Sequence, residues 1–326
     1  MPGTFGDAGR RLVGETWWGG DLMDVRLTAL LVLVPILNAL CYPLVRLGLD
    51  YAPHLTFAAL RALVAGGSLA LIAIALRRPM PADVRSWIAL GIIGLCATTS
   101  AYFGMFFAAE FISPGLATVI TNSQPLIAAV LASVFLSERL RNAQYVGLGL
   151  GFVGIVVVSF PQFGVAENAG FSTGLGYIIL AAVGIAVGNV LMKGVRTRMD
   201  PLVAMSVQML LGAVPLVVLA ALLEEPASVQ FTPTFVLALL GLALPGTALA
   251  YWLWFWLLGQ VALSRANGFT FLTPFIALAL GATFFGEPIA ISTIIGLLIA
   301  VAGICLVERR AGRVQAPATT PRPSDP

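Results

Sequence analysis

Charge is scarce in this chain. Of 326 residues only 15 are Asp or Glu and 18 are Lys or Arg, so charged side chains make up 10%, against about a quarter in an ordinary soluble domain. Hydrophobic residues make up 59% and the mean hydropathy is +0.96. So few charges cannot cover the surface of a soluble globule of this length. A soluble enzyme, a disordered chain and a small secreted module are excluded together. The net charge of +3 does not point to nucleic acid, because the basic residues are scattered between apolar runs and electrostatic docking needs them clustered.

Cysteine and histidine are equally sparse. Cys41, Cys96 and Cys305 each lie in an apolar run and read as small hydrophobes. No CxxC occurs and His54 is the single histidine, so neither a disulfide framework nor a zinc site is expected. Residues 1–26 mix acids and bases with no apolar core. No cleavable signal is expected there, and the first apolar segment serves as its own insertion signal.

What the chain has in abundance is long apolar runs. A membrane helix needs about 20 such residues, and ten segments qualify: 27–46, 55–76, 86–109, 115–136, 142–160, 173–195, 202–223, 234–258, 266–286 and 288–307. The expected fold is an all-α integral membrane protein with ten transmembrane helices. Residues 1–26 read as an N-terminal tail, and 311–326, rich in Pro, Thr and Ala, as a disordered C-terminal one. Trp17 and Trp18 stand just before the first span, where a headgroup anchor and a free tail are both open readings. With both termini in the cytoplasm, 16 of the 18 basic residues fall on the inner side, Arg46 on the outer side and Arg61 inside a span. By the positive-inside rule this asymmetry fixes the expected orientation, in the cytoplasmic membrane.

The chain also repeats itself. At an offset of 149 residues Pro125 meets Pro274, Glu138 meets Glu287, Gly147 meets Gly296 and Gly154 meets Gly303. Over positions 113–158, 13 of 46 pairs are identical, and Ala101–Tyr102 meets Ala250–Tyr251 in the same register. The two halves, 27–160 and 173–307, hold five spans each. Five is odd, so the second half enters the membrane inverted. Inverted repeats allow two bundles to exchange conformations about one central site, which suits a transporter.

The doubled Pro-x12-Glu spacing, the Gly-x6-Gly run after each Glu, Arg61 in the second span and Gln208 at about the corresponding place in the seventh resemble the drug/metabolite transporter superfamily, EamA type, over residues 27–307. The resemblance implies a ten-helix transporter with cytoplasmic termini, a central cavity between the halves, and export of metabolites or amino acids.

Several residues are candidates for that cavity. Pro125 and Pro274 lie near mid-span, where each removes a helical hydrogen bond, kinks the helix and leaves carbonyls in need of partners. Polar groups flank them: Thr121, Asn122, Ser123 and Gln124 in one half, Thr270 and Thr273 in the other. Such groups are costly against lipid. Arg61 has two readings, a counter-ion for a substrate anion, or a side chain that snorkels or pairs with Glu110. Tyr102 and Tyr251, related by the repeat, are placed to face each other across a cavity. Tyr251 opens an aromatic run through Trp256, part of which reads as an interfacial belt. Asn38 and Asn189 are polar groups in the first and sixth spans, open to helix–helix hydrogen bonding or to substrate. Lys193 reads as a snorkelling residue. Gly147, Gly151 and Gly154, echoed by Gly296 and Gly303, read as close helix packing, and Glu138 and Glu287 as acceptors in tight turns.

No Asp or Glu lies at mid-membrane depth, so a carboxylate proton relay lacks its group. No Walker A, HExxH or GxSxG motif occurs, so neither direct ATP drive nor an intramembrane enzyme is expected. No cofactor is expected either. The expected partners are a small-molecule substrate and the bilayer, without nucleic acid, and a homodimer is compatible with the pattern. Export by alternating access leads; import and a passive channel are the alternatives.

Overall fold

The computed structural model describes residues 17–108, 111, 120–136, 140–159, 170–196, 198–285 and 291–308. Glu110, Glu138, Glu287 and the tail from 311 lie outside the described residues. Among those described there is helix and no strand. Seven helices have the length and composition to cross a membrane: α1 (Val25–Leu49), α2 (His54–Ala75), α3 (Val84–Ala108), α6 (Phe171–Val195), α7 (Pro201–Leu223), α8 (Pro233–Leu258) and α9 (Leu263–Phe284). Three shorter apolar helices complete the order: α4 (Gln124–Phe135), α5 (Asn142–Val157) and α10 (Ile291–Val307). These ten fall on the ten expected spans. Helix is the form that satisfies every backbone group inside lipid without a neighbour.

The helix that opens α1 reaches back to Trp17, inside the segment expected as a tail. It is interrupted at Leu40 and resumes at Cys41, because Pro43 has no N–H for the Ala39 carbonyl and its ring presses on that carbonyl. Side-chain caps start several of the others. Asp200 accepts from Leu202 N at 2.9 Å ahead of Pro201, and Thr232 accepts from Phe235 N at 3.2 Å ahead of Pro233, each supplying an acceptor to an orphan donor.

Two seams run through the bundle, and each joins a helix to its own repeat mate. In the α5–α10 seam a Cβ on Gly147 would lie 2.6 Å from Gly303 O, and one on Gly154 would lie 2.5 Å from Gly296 O. The backbones touch there because no side chain intervenes. Gly151 takes part in the same seam, its N lying 2.8 Å from a Cβ built on Gly303, while its own Cβ position faces the Phe271 ring. In the α2–α7 seam, Gly66 packs on Met209 and Leu210. That seam is also tied at both ends. Arg78 pairs with Asp200 at 3.6 Å. At the other end the Glu224 carboxylate accepts from Leu55 N and Thr56 N, both at 2.8 Å, and from Thr56 Oγ1 at 2.9 Å.

Candidate functional site

The repeat is visible in the irregularities more than in the regular helix. In α3 the α-helix gives way to one π-helical stretch at Leu95–Ser100, and in α8 to another at Leu244–Leu249. Their bounds differ by 149 residues at both ends. A π turn carries one extra residue, leaves carbonyls short of their usual donors, and is common at functional sites. Side-chain hydroxyls meet some of the need: Ser100 Oγ donates to Leu95 O and Thr247 Oγ1 to Leu242 O, both at 2.8 Å.

The second pair of irregularities surrounds the prolines. Helix stops at Thr121, turns through Asn122 and Ser123, and restarts at Gln124; in the other half it stops at Thr270, turns through Phe271 and Leu272, and restarts at Thr273. Pro125 and Pro274 are thus second residues of new helices rather than kinks within continuous ones. Each would otherwise have to donate to Thr121 or Thr270, which it cannot do. Broken helices at membrane depth are tolerated where they are buried in protein or face a polar cavity.

Each bulge is clasped by a side chain from the seam helix of the opposite half. Thr98 Oγ1, in the α3 bulge, donates to Gln208 Oε1 of α7 at 3.1 Å. Thr247 Oγ1, in the α8 bulge, accepts from Arg61 Nε of α2 at 2.7 Å. Thr98 and Thr247 are repeat mates, so the two contacts are counterparts, although Thr98 donates where Thr247 accepts and Gln208 lies two residues from the exact mate of Arg61. One is neutral and closed, with Gln208 0% exposed. The other carries a guanidinium, on a residue that is half-buried.

A cluster grows around that guanidinium. Nη2 of Arg61 lies 3.7 Å from Cys41 Sγ, and the Cys41 thiol donates to Gly246 O at 3.3 Å within the same bulge. The Arg61 guanidinium carbon sits 4.9 Å from the centre of the Tyr102 ring, a cation–π contact. Tyr251 is close enough to interact electrostatically with both Tyr102 and Arg61. The structure therefore brings Arg61, Tyr102 and Tyr251 together across the two halves. Tyr102 is buried, and its hydroxyl makes no hydrogen bond of good geometry. Arg61 does not snorkel; it is held by Thr247, Cys41 and Tyr102.

A second polar group lies further along α8, whose Thr247, Tyr251 and Trp254 share one face at i, i+4 and i+7. Trp254 Nε1 donates to Asn189 Oδ1 at 3.0 Å, and Asn189 Nδ2 donates to Gln124 Oε1 at 3.3 Å. Asn189 and Gln124 are thus joined as well, by a tryptophan that the sequence pattern places in a belt. Trp254 and Phe255 are in the core, 8% and 0% exposed, so only part of the aromatic run remains for the interface. Asn122 is half-buried in the α4 break, while Asn38 and Thr273, also half-buried, join neither hydrogen-bonded group. Lys193 does not snorkel either. Its Nζ donates to Leu258 O at 2.6 Å and to Val261 O at 2.5 Å, closing the end of α8. Among the cysteines, Cys41 is buried beside Arg61, Cys96 is half-buried and Cys305 is exposed, so they do not share the single environment expected of them.

Sequence reasoning passed over Cys41, Thr98, Thr247 and Trp254. The 149-residue register that aligns Tyr102 with Tyr251 also aligns the two threonines, so that signal was present. Nothing in the sequence marks Cys41, which lies in the site because Gly246 of the bulge has no side chain to keep it away.

The EamA-like transporter family model matches residues 27–160 and 172–309. The uncharacterized transporter YvbV of Bacillus subtilis is 29% identical over 294 residues, covering 89% of this chain and 94% of that protein. A probable amino-acid metabolite efflux pump of Salmonella typhimurium is 28% identical over 285 residues, covering 84% of this chain and 92% of that protein. One solved crystal structure superposes with a TM-score of 0.74 at 18% identity, over 85% of this chain and 97% of that one, which establishes a shared fold. Two matched halves, ten apolar helices and a polar site at the meeting of the repeats lead to one conclusion: the chain is a multi-pass membrane transporter, not an enzyme, and belongs to the EamA-like transporter family.

Proposed function

We propose that the protein exports small metabolites, amino acids among them, across the cytoplasmic membrane by alternating access of the Arg61–Tyr102–Tyr251 site, without ATP and with both termini in the cytoplasm. The observation that carries this reading is the paired clasp, in which each half holds the bulge of the other through a threonine. Two repeat-related contacts between the halves provide the kind of interface about which inverted halves can rock. The direction is supported by relatives. Besides the Salmonella protein, a probable terminal-alkyne amino-acid exporter of Streptantibioticus cattleyicolor is 28% identical over 297 residues, covering 89% of this chain. The orientation is supported by the distribution of basic residues.

The test compares intracellular and extracellular metabolite pools in cells with the wild-type chain, without it, and with Tyr251→Ala at matched membrane abundance. Export depletes at least one metabolite inside and enriches it outside, and Tyr251→Ala weakens both changes. Inward accumulation overturns the direction. Flux that does not saturate overturns alternating access in favour of a channel.

A further inference from the structure

Arg61 is a cation inside a span. Among the described residues no carboxylate pairs with it; its contacts are a hydroxyl oxygen, a thiol and an aromatic face. A charged side chain at membrane depth is expensive and ordinarily marks a functional pathway with a partner in reach. Arg61 and Tyr251 are half-buried as residues, and Tyr102 beside them is buried. The Tyr102 hydroxyl is buried and makes no hydrogen bond of good geometry, Tyr251 being its polar neighbour, although buried polar atoms normally have a partner and an unmet one costs stability. Tyr102 and Tyr251 come from the two halves, so a group held between them contacts both.

We infer that Arg61, Tyr102 and Tyr251 form a subsite for a singly charged carboxylate, which makes the substrates monocarboxylates or zwitterions and excludes phosphate esters and organic cations. The inference rests on the transporter reading above and names its substrate class. The charge count selects the anion. Nε of Arg61 is taken by Thr247 and one face by Tyr102, which leaves the outer guanidinium edge for a single carboxylate. A dianionic phosphate would keep one negative charge that Arg61 alone cannot compensate, and Lys193 is spent on backbone carbonyls. A cation would meet Arg61 with like charge. The phenolic hydroxyls donate to a carboxylate, and the Tyr102 hydroxyl thereby gains the well-aligned partner it lacks. The other clasp argues the same way: its side chain on α7 is the uncharged Gln208, closed on Thr98.

The experiment is thermal melting of the purified full chain in detergent with sodium benzoate, benzamide, phenyl phosphate or benzylammonium chloride at equal concentrations. These probes share a ring and differ in charge. Benzoate is expected to raise the melting temperature, with an apparent affinity at least roughly tenfold above that of benzamide, the factor carried by one charge-assisted hydrogen bond. Arg61→Gln abolishes this preference. Tyr102→Phe tests the same site without touching the charge: it removes a hydroxyl that makes no hydrogen bond of good geometry in the empty site, so the variant melts at or above wild type, yet benzoate stabilises it less. Equal stabilisation by benzoate and benzamide, a larger effect of phenyl phosphate, no effect of any probe, or an unchanged benzoate response in Tyr102→Phe overturns the inference. If metabolites are exported while benzoate shows no preference, the subsite fails and the transporter reading stands. If benzoate binds selectively and no metabolite moves, export fails and the subsite stands.

Discussion

Gly94 is the last α-helical residue before the α3 bulge, and it meets Gly212 of α7 backbone to backbone. A Cβ built on Gly94 would collide with Gln208 O and lie 2.9 Å from Gly212 N; one built on Gly212 would lie 2.5 Å from Gly94 O and 2.7 Å from Thr98 Cβ. Ordinary contacts between such atoms lie near 3.5 Å, so Gly94→Ala must push α3 and α7 apart by on the order of 1 Å. Overpacking of this kind costs about 1–3 kcal/mol, offset by up to about 1 kcal/mol from the better helix propensity of alanine. The expected net loss is about 1–2 kcal/mol, seen as a fall of several degrees in the melting temperature of the purified protein, followed by circular dichroism at 222 nm. Gly212→Ala should behave alike. The double variant should lose less than the sum, because both methyl groups act on one gap. Gly67 and Gly176 are internal controls, since a Cβ on either meets nothing within 4 Å. Gly67→Ala and Gly176→Ala should melt no lower than wild type. If Gly67→Ala falls as far as Gly94→Ala, or if the double variant is fully additive, the close approach of α3 and α7 is refuted.

Lys193→Met removes two charge-assisted hydrogen bonds at the end of α8, each in the range of about 1.5–3 kcal/mol, and should lower the melting temperature while Lys193→Arg lowers it less; equal melting of the methionine variant and wild type would remove Lys193 from the closure. Single cysteines at position 140 and at position 228, in a background without the native ones, should react with a membrane-impermeant maleimide only from the cytoplasm and only from outside, respectively, and external labelling at 140 would invert the topology. The Asp83 carboxyl is held below the ordinary carboxylate range by hydrogen bonds from the Ser86 hydroxyl and the Ser86 N–H. A depressed acid stabilises the fold above its unfolded-state pKa and loses that contribution as pH falls through its folded-state value, so the melting-temperature difference between wild type and Asp83→Ala should shrink on acidification from neutral pH to below the carboxylate range; a difference independent of pH would refute the cap.

The architecture was legible because lipid leaves few alternatives. Hydropathy finds spans when each must satisfy its own backbone, and ten apolar segments became ten apolar helices. The repeat was legible because Pro, Glu and Tyr are rare enough in an apolar chain to hold a register. The site was legible only where charge or aromaticity stands out from an apolar run, as at Arg61, Tyr102 and Tyr251. It was not legible at Thr98, Thr247 and Cys41. A threonine in an apolar helix usually bonds to its own backbone, and only the π bulge turns Thr98 and Thr247 toward the opposite half. That bulge depends on what lies across from it. In α3 the glycines at 184, 188 and 212 face Cys96, Ala97 and Thr98, and no local pattern in α3 records those neighbours. Lys193 misled for a related reason. Its position near a span end favours snorkelling, but two carbonyls at the end of α8 lie within its reach.

The two clasps explain why the symmetry stops at Arg61 and Gln208. Rocking between inverted halves requires each half to adopt the other's shape, and the repeat therefore preserves the bulges, the breaks and the threonines at one register. A substrate has no twofold axis, so the side chains that meet it need none. An arginine at both clasp positions would set two like charges in a low-dielectric medium, a repulsive and poorly solvated pair. Glutamine at both would leave no charge with which to select a substrate. With Arg61 on α2 and Gln208 on α7, the backbone contact occurs twice while the charge occurs once, as recognition of a single charged group requires.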